Sequence, residues 1–158
     1  MSYRDRMIEL ANQYYREHGD EPVELAEIAA WAVRKGLWSP KPQDVVKRCA
    51  TELGDALRQE VRVDAEGRKY RAKHCVRTKN GAEQLFLWAD IDKAPRKFME
   101  KSFAERRKSI VGDCTQLSDD VGHYNQYHTP NNPIQLVLDF TDDVEEIKLE
   151  RQQKEKSA

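Results

Sequence analysis

VELAEIAAWAVRKGLWSPKPQDVVKRCATELGDALRQ, Val23 to Gln59, is the stretch on which the fold turns. Its first part spaces Leu25, Ile28, Ala29, Ala32 and Val33 by three and four residues, which puts them on one face of a helix. Pro22 precedes it, where a first helical turn tolerates proline, and Lys35 and Gly36 end it. The loop Leu37-Trp38-Ser39-Pro40-Lys41-Pro42 interrupts the pattern. A second periodic run, about 43–58, predicts a helix with Val45, Val46, Cys49, Ala50, Leu53 and Leu57 pointing inward. Lys47, Arg48, Thr51 and Arg58 are left for its outer face.

Working outward from that stretch, RDRMIELANQYYREH at 4–18 carries Met7, Ile8, Leu10, Ala11, Tyr14 and Tyr15 at helical spacing, and Gly19 stops it. Downstream the period falls to two. Val61 and Val63, a turn at Asp64–Gly67, and Tyr70, Ala72, His74 and Val76 predict a hairpin. Asn80-Gly81 predicts a second turn, ahead of Leu85, Leu87 and Ala89. The expected fold is α+β: a three-helix winged helix-turn-helix with an extended β-hairpin or three-stranded sheet, then a long helix and an extended C-terminal segment. In a winged helix the third helix enters the major groove and the wing touches the backbone. Other small α+β domains share the order of elements.

Glu27-Ile28-Ala29, Ala32, Gly36-Leu37-Trp38, Pro40 or Pro42, and the helix from Val45 to Leu57 resemble the HARE-HTH family of winged helices over about residues 5–65. The resemblance implies a DNA-binding module of the kind attached to chromatin and restriction factors. After Tyr70 the chain departs from the family, being longer and richer in strand pattern than the short wing. The hairpin is thus either a DNA-touching wing or part of an enlarged sheet.

Residues 95–128 form the next unit. Phe103, Arg107, Ile110, Cys114, Leu117, Val121, Tyr124 and His128 alternate four- and three-residue steps, a coiled-coil-like seam interrupted by Gly112 and Gly122. It predicts a long helix that either packs on the rest of the chain or forms a homodimer through 103–128. The tail EEIKLERQQKEKSA is too poor in apolar residues for a core and is expected to be a frayed helix or disordered. The expected organisation is 1–94, a winged-helix domain with an extended sheet; 95–128, the long helix; and 129–158, linker, peptide and charged tail.

The formal charge of −1 conceals two basic segments. Residues 41–80 hold eleven Lys/Arg against six Asp/Glu, and 93–108 hold seven against two, a surplus of five in each. That distribution suits a nucleic-acid face, although a set of solvated surfaces produces it too. Ser39, Lys41 and Gln43 fall at the start of the predicted third helix, where N–H groups and side chains meet phosphate. Lys47, Arg48 and Thr51 follow on its outer face, and Gln43, Lys47, Arg48 and Thr51 are the residues placed for reading bases. Arg62, Arg68, Lys69, Arg71 and Lys73 decorate the hairpin as phosphate contacts. The partner so implied is double-stranded DNA; the competing reading is a winged helix used for protein contacts.

Signals for chemistry are sparse. GxSxG, HExxH, P-loop and GxGxxG patterns do not occur, and paired acids such as Asp90/Asp92 and Asp142/Asp143 are ordinary capping or solvated residues. Cys49, Cys75 and Cys114 lack disulfide or zinc spacing, so neither metal nor cofactor is expected and the expectation is a non-enzyme. No apolar run has signal-peptide or membrane-spanning character, which points to a cytoplasmic protein with no membrane partner.

The C-terminal third holds the most specific motif. Gln135-Leu136-Val137-Leu138-Asp139-Phe140 resembles the short peptide with which bacterial polymerases, mismatch-repair proteins and initiation regulators bind the β sliding clamp. Gln135, Leu136, Leu138 and Phe140 match its longer form, QLxLx[FL], at each defined position. A Pro/Asn linker precedes the motif and a charged tail follows. The resemblance implies a non-catalytic adaptor in which a DNA-touching winged helix is coupled to the sliding clamp, recruiting a factor or competing with polymerases. Ile134, Leu136, Leu138 and Phe140 would equally make one face of a strand. The alternative function is a dimeric winged-helix transcriptional regulator with 134–140 as a core strand.

Overall fold

The computed structural model describes residues 2–158 as five helices and two small antiparallel sheets, an α+β chain that divides into the compact units Met1–Leu57 and Arg58–Ala158. The first unit carries α1 (Tyr3–His18), α2 (Leu25–Arg34) and most of α3 (Asp44–Gln59). A capping box starts α1: the Asp5 N–H donates to Ser2 Oγ at 3.1 Å and the Ser2 N–H to Asp5 Oδ2 at 2.9 Å. These bonds to its carboxylate lower the pKa of Asp5. The helix ends at Gly19, whose φ of 96° an L side chain rarely adopts.

The core of this unit is aromatic. Tyr14, Ile28, Trp31 and Ala32 are buried, with Leu10, Tyr15, Val23 and Trp38 packed against them. Tyr14 meets the Trp31 ring edge-on at 5.4 Å and stacks on His18 at 4.3 Å. Its hydroxyl donates to Glu27 Oε1 at 2.7 Å, and that bond raises the tyrosine pKa. Two expectations change. On α2, Trp31 is buried while Leu25 and Val33 are exposed, because the bulky indole sets the rotation of the helix. On α3, five of the six residues expected inward are open: Val45 is 70% and Val46 75% exposed, and Cys49, Ala50 and Leu53 are exposed too, while Leu57 is half-buried. An apolar groove between α1 and α2, lined by residues such as Met7, Leu10, Leu25 and Trp38, takes no lining residue from α3. Periodicity told which side chains share a face of α3, but not that another surface covers it.

In the second unit, β1 (Val61–Val63) pairs with β2 (Lys69–Arg71) and β3 (Lys73–Asn80) with β4 (Glu83–Asp90), both antiparallel. In place of the expected extended hairpin or three-stranded sheet there are two separate two-stranded ribbons. Ala72 breaks the run: it is fully buried, its N–H donates to the Glu60 carbonyl at 2.9 Å, and its carbonyl accepts from Ile91 N–H at 2.9 Å. Its N–H continues the β1–β2 register and its carbonyl the β3–β4 register, so Ala72 is where the chain passes from one ribbon to the other with both polar backbone groups satisfied. Asn80 pairs with Glu83, so the second turn is Gly81-Ala82, one residue later than Asn-Gly, with Gly81 at φ 62°.

The long helix α4 (Arg96–Tyr127) covers the open edge of β3. Ser102 Oγ donates to the Cys75 carbonyl at 2.8 Å, Lys101 Nζ to the Arg77 carbonyl at 2.7 Å, and Arg77 N–H to Glu105 Oε2 at 2.9 Å. Edge groups that would otherwise recruit another strand are satisfied by helix side chains. Buried His74 meets Phe103 edge-on at 5.4 Å, and Val76 and Met99 complete this small core. The helix runs unbroken through Gly112 and Gly122. After it, residues 133–140 belong to no helix and no strand, which corrects the core-strand reading of 134–140. The charged tail forms a helix, α5 (Thr141–Lys156), rather than a disordered end. Asp139 accepts from Thr141 N–H at 3.1 Å and Thr141 Oγ1 at 2.8 Å, and Asp142 and Asp143 sit in the first turn, where acids favour the helix dipole.

Candidate functional site

The segment Ile134–Phe140 runs as a strap beside α4, in neither helix nor strand. Asn125, near the end of that helix, holds its start with both amide atoms: Nδ2 donates to the Ile134 carbonyl at 2.9 Å and Oδ1 accepts from Ile134 N–H at 2.8 Å. That pair copies the bonding of a neighbouring strand without supplying one. Farther along, Leu138 and Phe140 line an open groove with Phe103, Ile110, Val111 and Cys114 of α4. Neither side chain is enclosed, Phe140 remaining 43% exposed, and Gln135 and Val137 face solvent. The bonds from Thr141 keep the Asp139 carboxyl below its ordinary pKa, so the motif carries a fixed negative charge between Leu138 and Phe140.

The residues singled out for DNA fall in two groups. Ser39, Lys41 and Gln43 are exposed in the approach to α3, where Lys41 N–H donates to Asp44 Oδ2 at 2.9 Å. Lys47, Arg48 and Thr51 are exposed on α3 itself. Arg48 pairs with Glu52 at 2.9 Å, an exposed one-turn pair that contributes little, and Thr51 Oγ1 bonds the Lys47 carbonyl. These six share the first unit. Arg62, Arg68, Lys69, Arg71 and Lys73 belong to the second, and three of them are already engaged. Arg62 grips Asp90 at 2.6 Å and Asp92 at 2.9 Å, Lys73 reaches Asp90 at 2.9 Å, and Arg68 pairs with Asp64 at 2.7 Å. Asp90 is held far below the usual carboxylate range by Arg62, then Lys73, and Arg62 is raised in turn. The sequence showed these cations and acids separated by up to thirty residues; only the fold reveals that they neutralise one another. Lys69 and Arg71 enter no ion pair among the described residues.

A second basic surface takes Arg71 from the hairpin group and adds Arg77 and Arg106, which the sequence reading did not single out. Arg71, Arg77 and Arg106 line one recess between the β3–β4 ribbon and α4, beside Phe86 and Trp88. The charge surplus of 93–108 signalled Arg106, but its neighbours come from strands that only the β3–β4 register brings together. Among the described residues no three His, Cys, Asp or Glu side chains gather so as to hold a metal ion, and no helix is long and apolar enough to cross a membrane. Comparison of the chain with family models, curated proteins and solved structures gave no match.

Proposed function

We propose that the chain is a non-catalytic adaptor whose strap, Gln135–Phe140, docks on a bacterial sliding clamp. The observation that carries this reading is the state of the strap: outside any helix or sheet, and with its apolar anchors half open. A peptide ligand needs that state, because its backbone is then free to lie in a partner's groove while alternate side chains enter pockets. Leu138 and Phe140 supply the apolar anchors, worth about 1.5–3 kcal/mol each when enclosed, which is enough for micromolar docking with help from a hydrogen bond by Gln135. Leu136 completes the motif.

The partner reading of the first unit is a winged helix on double-stranded DNA, with Ser39, Lys41, Gln43, Lys47, Arg48 and Thr51 at the duplex. Exposed cations on α3 support it. A clamp encircles the DNA such a module touches, so two weak interactions on linked targets reinforce each other through effective concentration. A dimeric regulator is the second reading, favoured by Phe103, Ile110, Leu117 and Tyr124, apolar seam residues of α4 that stay half exposed.

Mixing the protein with a purified clamp tests the first proposal, using size-exclusion chromatography and a titration. The unmutated chain forms a complex; Gln135→Ala and Phe140→Ala lose it while keeping native circular dichroism. An unmutated chain that shows no complex removes the proposal. For DNA, a duplex mobility shift that survives Lys47→Ala/Arg48→Ala unchanged rejects the α3 assignment.

A further inference from the structure

The recess between the β3–β4 ribbon and the first half of α4 is about 280 Å3, and its charge is one-sided. Arg71, Arg77 and Arg106 enter it without an ion-pair partner among the described residues. Glu105 is the acid among its lining residues, and one oxygen of that carboxylate is occupied by Arg77 N–H at 2.9 Å. Partial burial, with Arg71's positive charge close by, makes protonated Arg106 harder to hold and lowers its pKa. Two guanidinium groups held near each other without a counter-charge gain from any anion that settles between them, and a phosphate offers a guanidinium bidentate geometry.

The other half of the recess is aromatic. The register pairs Cys75 with Trp88 and Arg77 with Phe86, so the arginine and both rings share one face of the ribbon. Phe86 lines the recess and is 57% exposed, so its ring is open to solvent there. Trp88 is half-buried with the Arg58 guanidinium 5.3 Å from its ring centre, which leaves Phe86 as the open ring. Basic side chains beside an open ring form the combination that holds a single strand: phosphates go to the cations and an unstacked base to the ring. A duplex keeps its bases in the stack and leaves such a ring idle; an acidic peptide has nothing flat to offer it.

We infer that this recess is a binding site for single-stranded nucleic acid, with a phosphodiester between Arg71 and Arg106 and a base on Phe86. The recess borders both other surfaces, since Arg58 lies in the last turn of α3 and Arg106 also lines the groove of the strap. It uses none of Gln135–Phe140 and neither Lys47 nor Arg48, and it stands whether or not those residues bind their proposed partners.

The test is fluorescence anisotropy of the full chain with a labelled oligothymidylate of about twelve nucleotides, within the range one such site covers. Binding is expected at low salt and weakens as salt rises. Phe86→Ala and the pair Arg71→Ala/Arg106→Ala each reduce affinity by about tenfold or more, the scale of one lost base stack, with circular dichroism unchanged. Lys47→Ala/Arg48→Ala leaves it as it was. Failure of the unmutated chain to bind overturns the inference. So do a duplex bound equally tightly and indifferent to Phe86→Ala, a polyglutamate that displaces the oligonucleotide at matched charge, and full displacement by millimolar inorganic phosphate, which marks a simple anion pocket.

Discussion

Trp31, which the apolar repeat of α2 left out, and Phe140, which closes a regular alternation, finish in opposite surroundings. Trp31 is 4% exposed, enclosed by Tyr14 and His18, with the Lys35 ammonium 5.2 Å above its ring. Phe140 lies on an open groove at the start of α5 with its face half in water. The difference teaches that a repeat in sequence specifies which side chains point together, whereas burial requires a second surface of matching shape. Where that surface exists, the pattern becomes a core; where it is partial, it becomes something another molecule can use.

Trp31→Ala breaks the comparison from the buried side, and its effect is the largest expected. Removing a buried indole costs about 3–5 kcal/mol, measured as a shift in denaturant midpoint. A loss below about 1 kcal/mol would mean that the α1–α2 contact is not a core at all. Trp31→Phe should cost less than Trp31→Ala, because Trp31 Nε1 is buried without a hydrogen-bond partner and phenylalanine removes that orphan donor.

Phe140→Ala probes the open side. A ring already half solvated contributes less than about 1 kcal/mol to stability, so the midpoint should barely move. Clamp affinity should instead fall by about tenfold to a hundredfold, since the complete burial of that ring would then be made only in the complex. A Phe140→Ala protein that unfolds returns the strap to the core and ends the contrast with Trp31.

How far all this was legible follows from the same distinction. The three helices at 3–18, 25–34 and 44–59 and both hairpins were readable, because capping residues, glycine stops and the change of period are local signals. The break at Ala72 was not, since it depends on Glu60 and Ile91 taking both of its backbone groups. The same holds for the hairpin cations. Arg62 and Lys73 read as phosphate ligands until Asp90, far along the chain, is seen between them. Arg71, in the same hairpin, keeps its charge available because no acid reaches it. Gln135–Phe140 was legible as a motif, whereas its support came from Asn125, an unremarked polar residue in a helix.

Asn125→Ala carries the smallest effect and sharpens the comparison most closely. Its two hydrogen bonds to Ile134 are exposed, so each contributes on the order of 1 kcal/mol or less to holding the strap against α4. Global stability should not change, but hydrogen exchange at the Ile134 amide should quicken about fivefold or more as the start of the strap opens. If the strap must leave α4 to dock, clamp affinity rises by no more than the same factor, because the substitution alters only the population of the open state. Faster exchange with unchanged affinity would mean that the peptide docks from where it lies, with α4 still behind it. Unchanged exchange would shift the whole of the restraint to Leu138 and Phe140, and make the groove on α4 a closer relative of the Trp31 core than its exposure implies.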